Sequence, residues 1–539
     1  MAIGTCLNPK KWNGFVDWKL LILLILFLNV KLVVKIPALL LIYILQPDFR
    51  FGFNWKNPRL PLFYLFIIVI ACTALLINRD FLDKNYPVVF ITGIIFWLLC
   101  LLATHQVKLS VDRQATVKIH QTVVLFFIIN AVVSAINLLL IIWEIRDINP
   151  YLYQGQNQKY FIGTGDYIKG LTFDTSTTNA ILNAMGILYF LGRKNYTMLL
   201  LCITTFLLTG SNFMNIVMVF LMLLLFLLRS TREQKSFIII YCMMLIVFVS
   251  KISPQNLEYV GKIFKKSFHT ESHNEMRQES KVVPVAMKPD TLVQEEKIAK
   301  EYLDSLNLNR YAMGIKDKSE ESQTQQLTLP KADIHSASYQ SIKDPLPQEH
   351  PIVRFIHNNR SALPYSSGAT EMPDLPGKAM GLKQTAEFLS RHPVKSLAGD
   401  GIGNFSSKLA FRTTGLGIAG GFPHSNLYIN DDFLSNHLDL YIDFFSRQSG
   451  YHSLTNTPFS VYDQMLSEYG LLGLLMLLVF YFGYFLRHYR TLTYGLPLIF
   501  LVMIVFFIDY WFEQLSVLVL FELLLYLDIK ESMVHKNLP

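Results

Sequence analysis

The sequence predicts an all-α polytopic membrane protein with about twelve transmembrane helices and one long external loop between the ninth and tenth. Of its 539 residues, 52% are hydrophobic and only 16% are charged, whereas an ordinary soluble domain has about 25% charged residues. A helix needs about 20 apolar residues to cross the hydrocarbon core of a bilayer. The apolar runs that come nearest to this length are 61–78, 86–104, 122–143, 212–228 and 471–486.

Short basic patches between the apolar runs predict the orientation, because Lys and Arg collect in the cytoplasmic loops of membrane proteins. All the patches lie inside if two spans separate each patch from the next. They are Lys10, Lys11 and Lys19; Arg50, Lys56 and Arg59; Lys108, Arg113 and Lys118; Arg193 and Lys194; Arg229, Arg232 and Lys235; and Arg487 and Arg490. The net charge of +8 is therefore interpreted as topological, and no nucleic-acid partner is expected.

This arrangement places both termini inside and the segments 144–172 and 252–464 outside. Its first two spans form a hairpin with Lys31 and Lys35 at a tight external turn. A single helix over 20–46, which would leave the N-terminus outside, is the alternative. The predicted spans lie near 17–30, 32–46, 61–78, 86–104, 122–143, 173–192, 196–210, 212–229, 236–251, 465–486, 493–508 and 511–528.

The predicted domain organisation follows from these spans. An N-terminal membrane block of about nine helices (1–251) precedes the external loop (252–464), and a C-terminal block of three helices (465–528) precedes a cytoplasmic tail (529–539). No cleavable signal peptide is expected, because the first apolar run lacks a small-residue cleavage site.

The external loop has two parts of different composition. Residues 265–376 are rich in Lys, Glu, Gln, Ser and Pro, and such a segment buries too little apolar surface to offset the entropy of ordering it. We therefore expect a flexible insertion, with docking of another envelope protein as the alternative. The loop contains no cysteine, so neither disulfides nor a Cys-based metal site are expected there. The five cysteines are Cys6, Cys72, Cys100, Cys202 and Cys242.

The second part, 378–464, carries the motifs. Ala379–Leu389 fits a short amphipathic helix that ends before Pro393, since the residue before proline disfavours helix. The glycines of Gly399-Asp-Gly-Ile-Gly403-Asn-Phe405 let backbone approach a ligand or another chain closely. This loop is no dinucleotide fingerprint, because neither a strand before it nor a helix after it has the required spacing.

The order and placement of these motifs resemble the O-antigen ligase and O-antigen polymerase superfamily. The matching stretches read Lys378…Arg391-His-Pro393…Gly399-Asp-Gly401-Ile-Gly403-Asn-Phe405…Pro423-His424-Ser-Asn426…Glu468-Tyr-Gly470-Leu-Leu-Gly473, and, earlier, Lys169-Gly170…Thr178-Asn179-Ala180 and Leu207-Leu-Thr-Gly210-Ser211. The chain has Lys169, Lys378 and Asn212 where the superfamily has arginines, and insertions near 265–376 and 430–455. Lys binds phosphate as a point charge, whereas Arg offers a bidentate fork.

The resemblance implies an enzyme that transfers a glycan from an undecaprenyl-diphosphate-linked donor to the hydroxyl of an acceptor glycan or lipid. It implies a multi-pass protein of the bacterial inner membrane with its active site facing the periplasm, no cofactor and no metal. Other polysaccharide assembly proteins would be further partners. The polymerase activity is favoured over the ligase activity, because the lysines and insertions depart from ligase-like spacing.

The implied reaction assigns roles to particular residues. A base takes the proton of the acceptor hydroxyl, and cations offset the charge that develops on the diphosphate. His424 is the predicted base, with His452 as the alternative. The predicted diphosphate-binding residues are Lys169, Lys378, Arg391 and Arg412, and the predicted positioning residues are Gly401, Gly403, Asn426 and Glu468.

Other interpretations stay open for individual residues and for the whole chain. Glu468 can instead stabilise a helix N-terminus, because a carboxylate interacts favourably with the positive end of the helix dipole. Asp509 and Glu513 are interpreted as interfacial. A flippase for lipid-linked oligosaccharide would need ionisable residues inside several spans, and the first nine spans are nearly free of them beyond their ends. A non-catalytic envelope assembly protein is the third hypothesis.

Overall fold

A computed structural model describes residues 14–28, 31–45, 47–152, 168–228, 230–254, 377–414, 422–423, 426–437, 440 and 457–536, which form helices and turns without a strand. The predicted insertion 265–376 lies outside these residues. The α-helices are α1 (Trp18–Leu26), α2 (Leu32–Leu45), α3 (Phe63–Asn78), α4 (Tyr86–Arg113), α5 (Thr116–Ile145), α6 (Ser176–Gly192), α7 (Tyr196–Leu208), α8 (Asn212–Leu228), α9 (Arg232–Val247), α10 (Gly377–Arg391), α11 (Pro393–Ala398), α12 (Lys408–Thr413), α13 (Asp431–Asn436), α14 (Val461–Met476), α15 (Gly483–Leu486), α16 (Gly495–Val505), α17 (Trp511–Gln514) and α18 (Leu518–Lys536).

Four continuous helices are long and apolar enough to cross a membrane, which confirms the class of a helical membrane protein. They are Tyr86–Arg113, Thr116–Ile145, Arg232–Ile252 and Val461–Leu486, the last two extended by π-helical turns at Phe248–Ile252 and Leu477–Phe482. Shorter apolar helices occupy Leu32–Leu45, Phe63–Asn78, Tyr196–Leu208, Asn212–Leu228 and Gly495–Val505. Each predicted span overlaps a helix; that twelve segments cross the bilayer stays a prediction.

Two predicted spans differ from the observed helices. The segment 511–528 is divided between α17 and α18 by Leu515, whose backbone is left-handed with φ 67°, and α18 continues into the predicted tail as far as Lys536. At the N-terminus, α1 and α2 are separate helices.

Lys35 does not lie in the tight external turn that was predicted between the first two helices. It lies inside α2 with only 5% of its surface exposed. Its Nζ donates a hydrogen bond of 3.0 Å to the carbonyl of Gln514. The last carbonyls of a helix have no partner within that helix, so the end of α17 supplies an acceptor that draws this lysine inward.

Contacts between distant segments sort the helix ends into two groups. At one end, Arg59 pairs with Asp112 at 2.8 Å, and Arg193 pairs with Glu531; we call this the basic end, because its cations come from the basic patches. At the other end, α10 and α11 pack against α14, α13 packs against α10, and α12 packs against α4; we call this the loop end. The predicted topology, with the position of the loop and the direction across the membrane, stays a prediction.

The glycine-rich loop docks into a break in α14. The helix is interrupted at Gly470, whose φ is 67° and ψ −168°. The amides of Asp400 and Gly401 donate to the carbonyls of Ser467 and Glu468, at 2.9 and 3.1 Å. A Cβ atom on Gly470 would lie 2.4 Å from the carbonyl oxygen of Leu397. The two glycine motifs of the sequence are therefore two sides of one backbone-to-backbone contact.

Candidate functional site

Both candidate base residues, His424 and His452, lie outside the described residues. The chain on either side of His424 is held against the end of α12. The amide of Phe422 donates to the carbonyl of Arg412 at 3.2 Å, and the amide of Tyr428 donates to the carbonyl of Thr413 at 3.1 Å. Phe422 and Tyr428, between which His424 lies in the sequence, are thus both held beside α12.

Two cations lie one turn apart on α12, Lys408 and Arg412. The helix begins where the Ser407 hydroxyl accepts a hydrogen bond of 3.0 Å from the amide of Ala410. Among the described residues, neither cationic side chain makes a hydrogen bond or a close ion pair, and the Nε of Arg412 is buried without a partner. The sequence analysis named Arg412 but missed Lys408, although the i, i+4 spacing was a usable signal.

A half-buried carboxylate lies beside these cations. Glu513 is an electrostatic neighbour of both Arg412 and Lys408. Its Oε1 accepts a hydrogen bond of 2.6 Å from the amide of Gln464, while its Oε2 is buried without a partner. Gln464 and Glu513 also line a small cavity of about 10 Å³, which is about the size that one water molecule needs.

That Asp509 and Glu513 lie at the membrane interface stays a prediction. Asp509 is only 9% exposed. It accepts hydrogen bonds from the side-chain amide of Gln514 and, at 2.7 Å, from the backbone amide of Tyr510. Because the turn between α16 and α17 folds under α10 and α12, its carboxylates find protein donors in place of water.

Lys169 reaches the same region on a loop fixed by buried asparagines. Its neighbour Gly170 donates its amide to Asn137 Oδ1 at 3.0 Å, and the carbonyl of Ile168 accepts from Asn179 at 2.9 Å. Lys169 itself is exposed. It is an electrostatic neighbour of Asp174, as is Lys408. Lys169 and Lys408 of α12 are therefore both close enough to Asp174 to interact with it electrostatically.

Asp174 is a further residue that the sequence analysis missed. It precedes α6, and its Oδ2 accepts a hydrogen bond of 2.9 Å from the Thr178 hydroxyl. Thr178 belongs to a stretch that the resemblance did include, so its partner four residues earlier could have been inferred. Asp509 is also an electrostatic neighbour of Asp174.

Lys378 is held by the protein. Its Nζ contacts Phe459 O at 2.6 Å, Ile508 O at 2.8 Å and the Thr457 hydroxyl at 3.3 Å. Burial lowers the pKa of Lys378 to about 7, although the carboxylates of Asp463 and Asp509 oppose this shift. An ammonium group has three N–H donors, and three acceptors already use them. No donor is left for a phosphate.

Arg391 lies at the opposite end of α10 from Lys378. Thirteen residues of helix separate the two, which is about 20 Å at 1.5 Å per residue. Arg391 is exposed and ends the helix, and none of its described contacts connects it to α12. Of the four predicted diphosphate-binding residues, the structure groups Lys169 and Arg412 and does not group Lys378 or Arg391 with them.

The predicted positioning residues shape the loop that supports this region. Gly401 and Gly403 have φ of 98° and 72°, which glycine adopts readily. Between these glycines and the turn that joins α3 to α4, Asn404 donates to Asp80 Oδ2 at 2.8 Å and accepts from the Tyr428 hydroxyl at 2.9 Å. The amide of Asn426 donates to the carbonyl of Pro423 at 2.9 Å.

Glu468 does not lie in the first turn of α14 but directly precedes the helical segment that follows the break at Gly470, so its effect on a helix N-terminus stays a prediction. The helix α14 begins at Val461 with Ser460 as its N-cap, and Glu468 lies two residues before the break at Gly470. It is completely buried, and its Oε1 accepts a long hydrogen bond of 3.4 Å from the amide of Phe405. Its position is that of a support for the glycine-rich loop.

A second charged cluster braces this loop from the outside. Lys395 Nζ contacts Asp400 Oδ1 at 2.6 Å and Asp432 Oδ2 at 2.5 Å. Although burial opposes it, this pair of carboxylates raises the pKa of Lys395 to about 12. Burial raises the pKa of Asp80, on the adjacent turn, to about 6.

The fold and these contacts define a helical membrane protein with a charged, partly buried site at its loop end. Within the described residues, no group of three or more His, Cys, Asp or Glu side chains has the arrangement of a metal site. Comparison of the chain with protein-family models, curated proteins and solved structures finds no match.

Proposed function

We propose that this protein transfers a glycan from an undecaprenyl-diphosphate-linked donor to an acceptor hydroxyl, as the resemblance of its motifs to the O-antigen ligase and polymerase superfamily implies. The observation that carries the proposal is the pair Lys408 and Arg412. Two cations one turn apart, without direct partners among the described residues, lie beside the chain that leads to His424.

In the proposed reaction, Arg412, Lys408 and Lys169 hold the diphosphate. A guanidinium binds phosphate oxygens bidentately, and its buried Nε is an unused donor in the unliganded protein. Glu513 and Asp174 keep these cations near the site through electrostatic attraction. An anionic ligand adds the direct contacts that the carboxylates do not make.

His424 is the proposed base, with His452 as the alternative. An imidazole with an ordinary pKa of about 6.5 is mostly neutral at pH 7. It takes the proton from the acceptor hydroxyl while the hydroxyl oxygen forms a bond to the anomeric carbon of the donor. The bond from that carbon to the diphosphate oxygen breaks, and polyprenyl diphosphate leaves with the bonding electrons. The cations of α12 offset the charge that this oxygen gains.

Transport of a lipid-linked oligosaccharide is the second candidate function. One observation favours it. Lys35 is a buried ionisable group in a segment predicted to span the membrane, and such groups often mark a pathway for a polar substrate. The two functions differ in whether a glycosidic bond forms.

The test is a reconstituted assay. Purified protein in lipid vesicles receives undecaprenyl-diphosphate-linked oligosaccharide, and the products are separated by length. We expect longer lipid-linked glycans for a polymerase, and transfer to an added separate acceptor for a ligase. Arg412→Gln should lower the turnover about 10²–10³-fold, the usual cost of removing one preorganised charge-stabilising donor. His424→Ala should lower it about 10²–10⁴-fold.

Matched controls separate charge from folding. Lys383 is exposed on α10 and faces Glu387 at 3.8 Å, so Lys383→Gln should keep full turnover. Lys408→Arg should keep more activity than Lys408→Gln, because it preserves the charge. Full activity of His424→Ala with an inactive His452→Ala would move the base to His452. Movement of the donor between leaflets without any new glycosidic bond would replace transfer by transport.

A further inference from the structure

The basic end contains a cavity that the proposed transfer reaction does not use. Its volume is about 260 Å³, whereas a single water molecule needs only about 10–15 Å³. The cavity therefore has room for a group much larger than water. It is lined by Pro58, Arg59, Lys108, Asp112, Tyr484, Arg487, His488, Tyr526, Ile529 and Met533.

The charges that line this cavity do not balance. Asp112 accepts from Arg59 at 2.8 Å and from Lys108 at 3.0 Å, so one carboxylate serves two cations. Arg487 has no carboxylate partner among the described residues. Its guanidinium lies 4.4 Å from the centre of the Tyr484 ring and donates to His488 Nε2 at 3.1 Å. The lining thus carries three formal positive charges against one negative charge.

The lining residues lie at a similar depth, just beyond the ends of four predicted spans. Arg59 precedes the span 61–78 by two residues, and Lys108 follows the span 86–104 by four. Arg487 and Ile529 follow the predicted ends of their spans by one residue each. Residues just beyond the apolar part of a span lie at the depth of the lipid headgroups.

Apolar and aromatic side chains complete the wall next to the cations. Tyr526 and Ile529 lie on α18, and Lys108 Nζ lies 5.1 Å from the centre of the Tyr526 ring. Met533, one turn further along α18, is 50% exposed. A site that offers cations and an exposed apolar side chain suits an amphiphilic anion better than a small hydrated ion.

We propose that this cavity binds the phosphate-bearing headgroup of an anionic lipid at the membrane surface of the basic end. Basic pockets between membrane helices on the cytoplasmic side bind such headgroups. Arg487, with donors that no carboxylate uses, contacts the phosphate, and Lys108 and Arg59 supply the surrounding positive charge. The proposal is independent of glycan transfer, which uses the opposite end of the molecule.

Native mass spectrometry of the full-length protein in detergent tests the proposal. The probes are phosphatidylglycerol, phosphatidylcholine and inorganic pyrophosphate, each titrated against the wild type and the variants. We expect phosphatidylglycerol to bind at least about ten-fold more tightly than phosphatidylcholine. Each lining cation removed, in Arg487→Gln and in Lys108→Gln, should weaken this binding about five-fold, the value expected for one basic residue near an anionic lipid surface.

Two further variants make the test specific. Arg490 is exposed three residues from Arg487, contacts Tyr489 and does not line the cavity, so Arg490→Gln should bind phosphatidylglycerol like the wild type. Arg487→Lys should keep most of the binding and shows that the position tolerates substitution. Equal loss in Arg490→Gln and Arg487→Gln would overturn the proposal in favour of diffuse surface charge. Pyrophosphate that binds alone and displaces the lipid would overturn it in favour of a soluble anion site.

Discussion

Charged side chains have different kinds of partner at the two ends of the helix bundle. At the basic end, carboxylates pair directly with cations: Asp112 with Arg59 and Lys108, and Asp48 with Arg50 and Arg113. At the loop end, many charged groups near α12 and α17 contact neutral partners. Lys35 and Lys378 donate to backbone carbonyls, and Glu513 and Asp509 accept from glutamine amides.

Under the proposed function, this difference separates groups that anchor the fold from groups that act on a ligand. A direct pair between partly exposed side chains neutralises both charges and contributes little more than local order. A buried charge that is solvated by amides and carbonyls keeps its field, which acts on whatever enters the site. The exception at the loop end is Lys395 between Asp400 and Asp432, and its position on the outside of the glycine-rich loop suits a structural brace.

The largest loss of stability is expected when a glycine toward the loop end of one continuous helix is replaced by alanine. Gly470→Ala at the loop end places a Cβ atom 2.4 Å from the carbonyl of Leu397 at a φ of 67°. The left-handed backbone and the overlap each cost roughly 1–3 kcal/mol, so we expect a loss of about 4 kcal/mol. The measurement is the thermal unfolding midpoint of the purified variant in detergent.

The matched control lies toward the basic end of the same continuous helix. At Gly483 the nearest atom to an added Cβ would be Leu478 O at 3.4 Å, and φ is −61°. Gly483→Ala should therefore keep or raise stability, by up to about 1 kcal/mol. Equal midpoints for the two variants would show that the docking of the loop into the break contributes nothing.

The next effect compares two lysines with similar contacts and different burial. Lys378→Met leaves two buried carbonyls and the Thr457 hydroxyl without their donor, at a cost of about 1–3 kcal/mol. Lys530 at the basic end also donates to two carbonyls, those of Val111 and Gln114 at 2.6 and 2.7 Å. Lys530 is much less deeply enclosed than Lys378, so water replaces it.

We expect Lys530→Met to cost less than about 1 kcal/mol, the net value of one hydrogen bond in water. Thermal midpoints of both variants, with Lys383→Met as an exposed control on α10, check this difference. If Lys378→Met is as stable as wild type while losing turnover, the lysine belongs to the chemistry and the interpretation as a structural support fails.

The smallest effect is a difference in pH dependence. Burial raises the pKa of Asp80 to about 6, above the unfolded value of about 3.9. Asp80 therefore releases its proton at a higher pH in the folded state than in the unfolded state. The stabilisation that comes from this bound proton is lost as pH rises from about 4 to 6. At the basic end, Arg50 and Arg113 hold the pKa of Asp48 well below its usual range. That contribution is present above about pH 4 and is lost on acidification.

Thermal midpoints between pH 3.5 and 7 compare Asp80→Asn and Asp48→Asn with the wild type. Asp80→Asn should remove a decline in stability between pH 4 and 6, and Asp48→Asn should remove a loss below pH 4. Curves for both variants that run parallel to the wild type would show that neither carboxylate contributes to the pH dependence.

The sequence predicted the local structure well where residues within a single helix determine it. The amphipathic segment 379–389 was expected to be a helix, and α10 occupies Gly377–Arg391. The long apolar runs became α4, α5 and the continuous helix from Val461 to Leu486. Periodicity and apolar length are properties of neighbouring residues, and a bilayer requires backbone hydrogen bonds to be satisfied within each segment.

The site was predicted only in part, because its members are distant in sequence. Arg412 and Lys169 were predicted to belong to the site, whereas Lys408, Asp174 and Gln464 were not, and Glu513 was interpreted only as interfacial. Lys378 was expected at a phosphate and is instead held by backbone carbonyls. Residue type alone does not distinguish a lysine that faces a ligand from one that closes an interface.

By itself, the sequence determined that this is a helical membrane protein, and it marked the two glycine motifs as unusual. Only the tertiary structure decided that these motifs meet, with Gly399 and Gly470 in one backbone contact. Only it decided which cations are paired and which are not. The physical reason is that apolar content acts residue by residue, whereas the state of a charge depends on the donors, acceptors and water that the fold places around it.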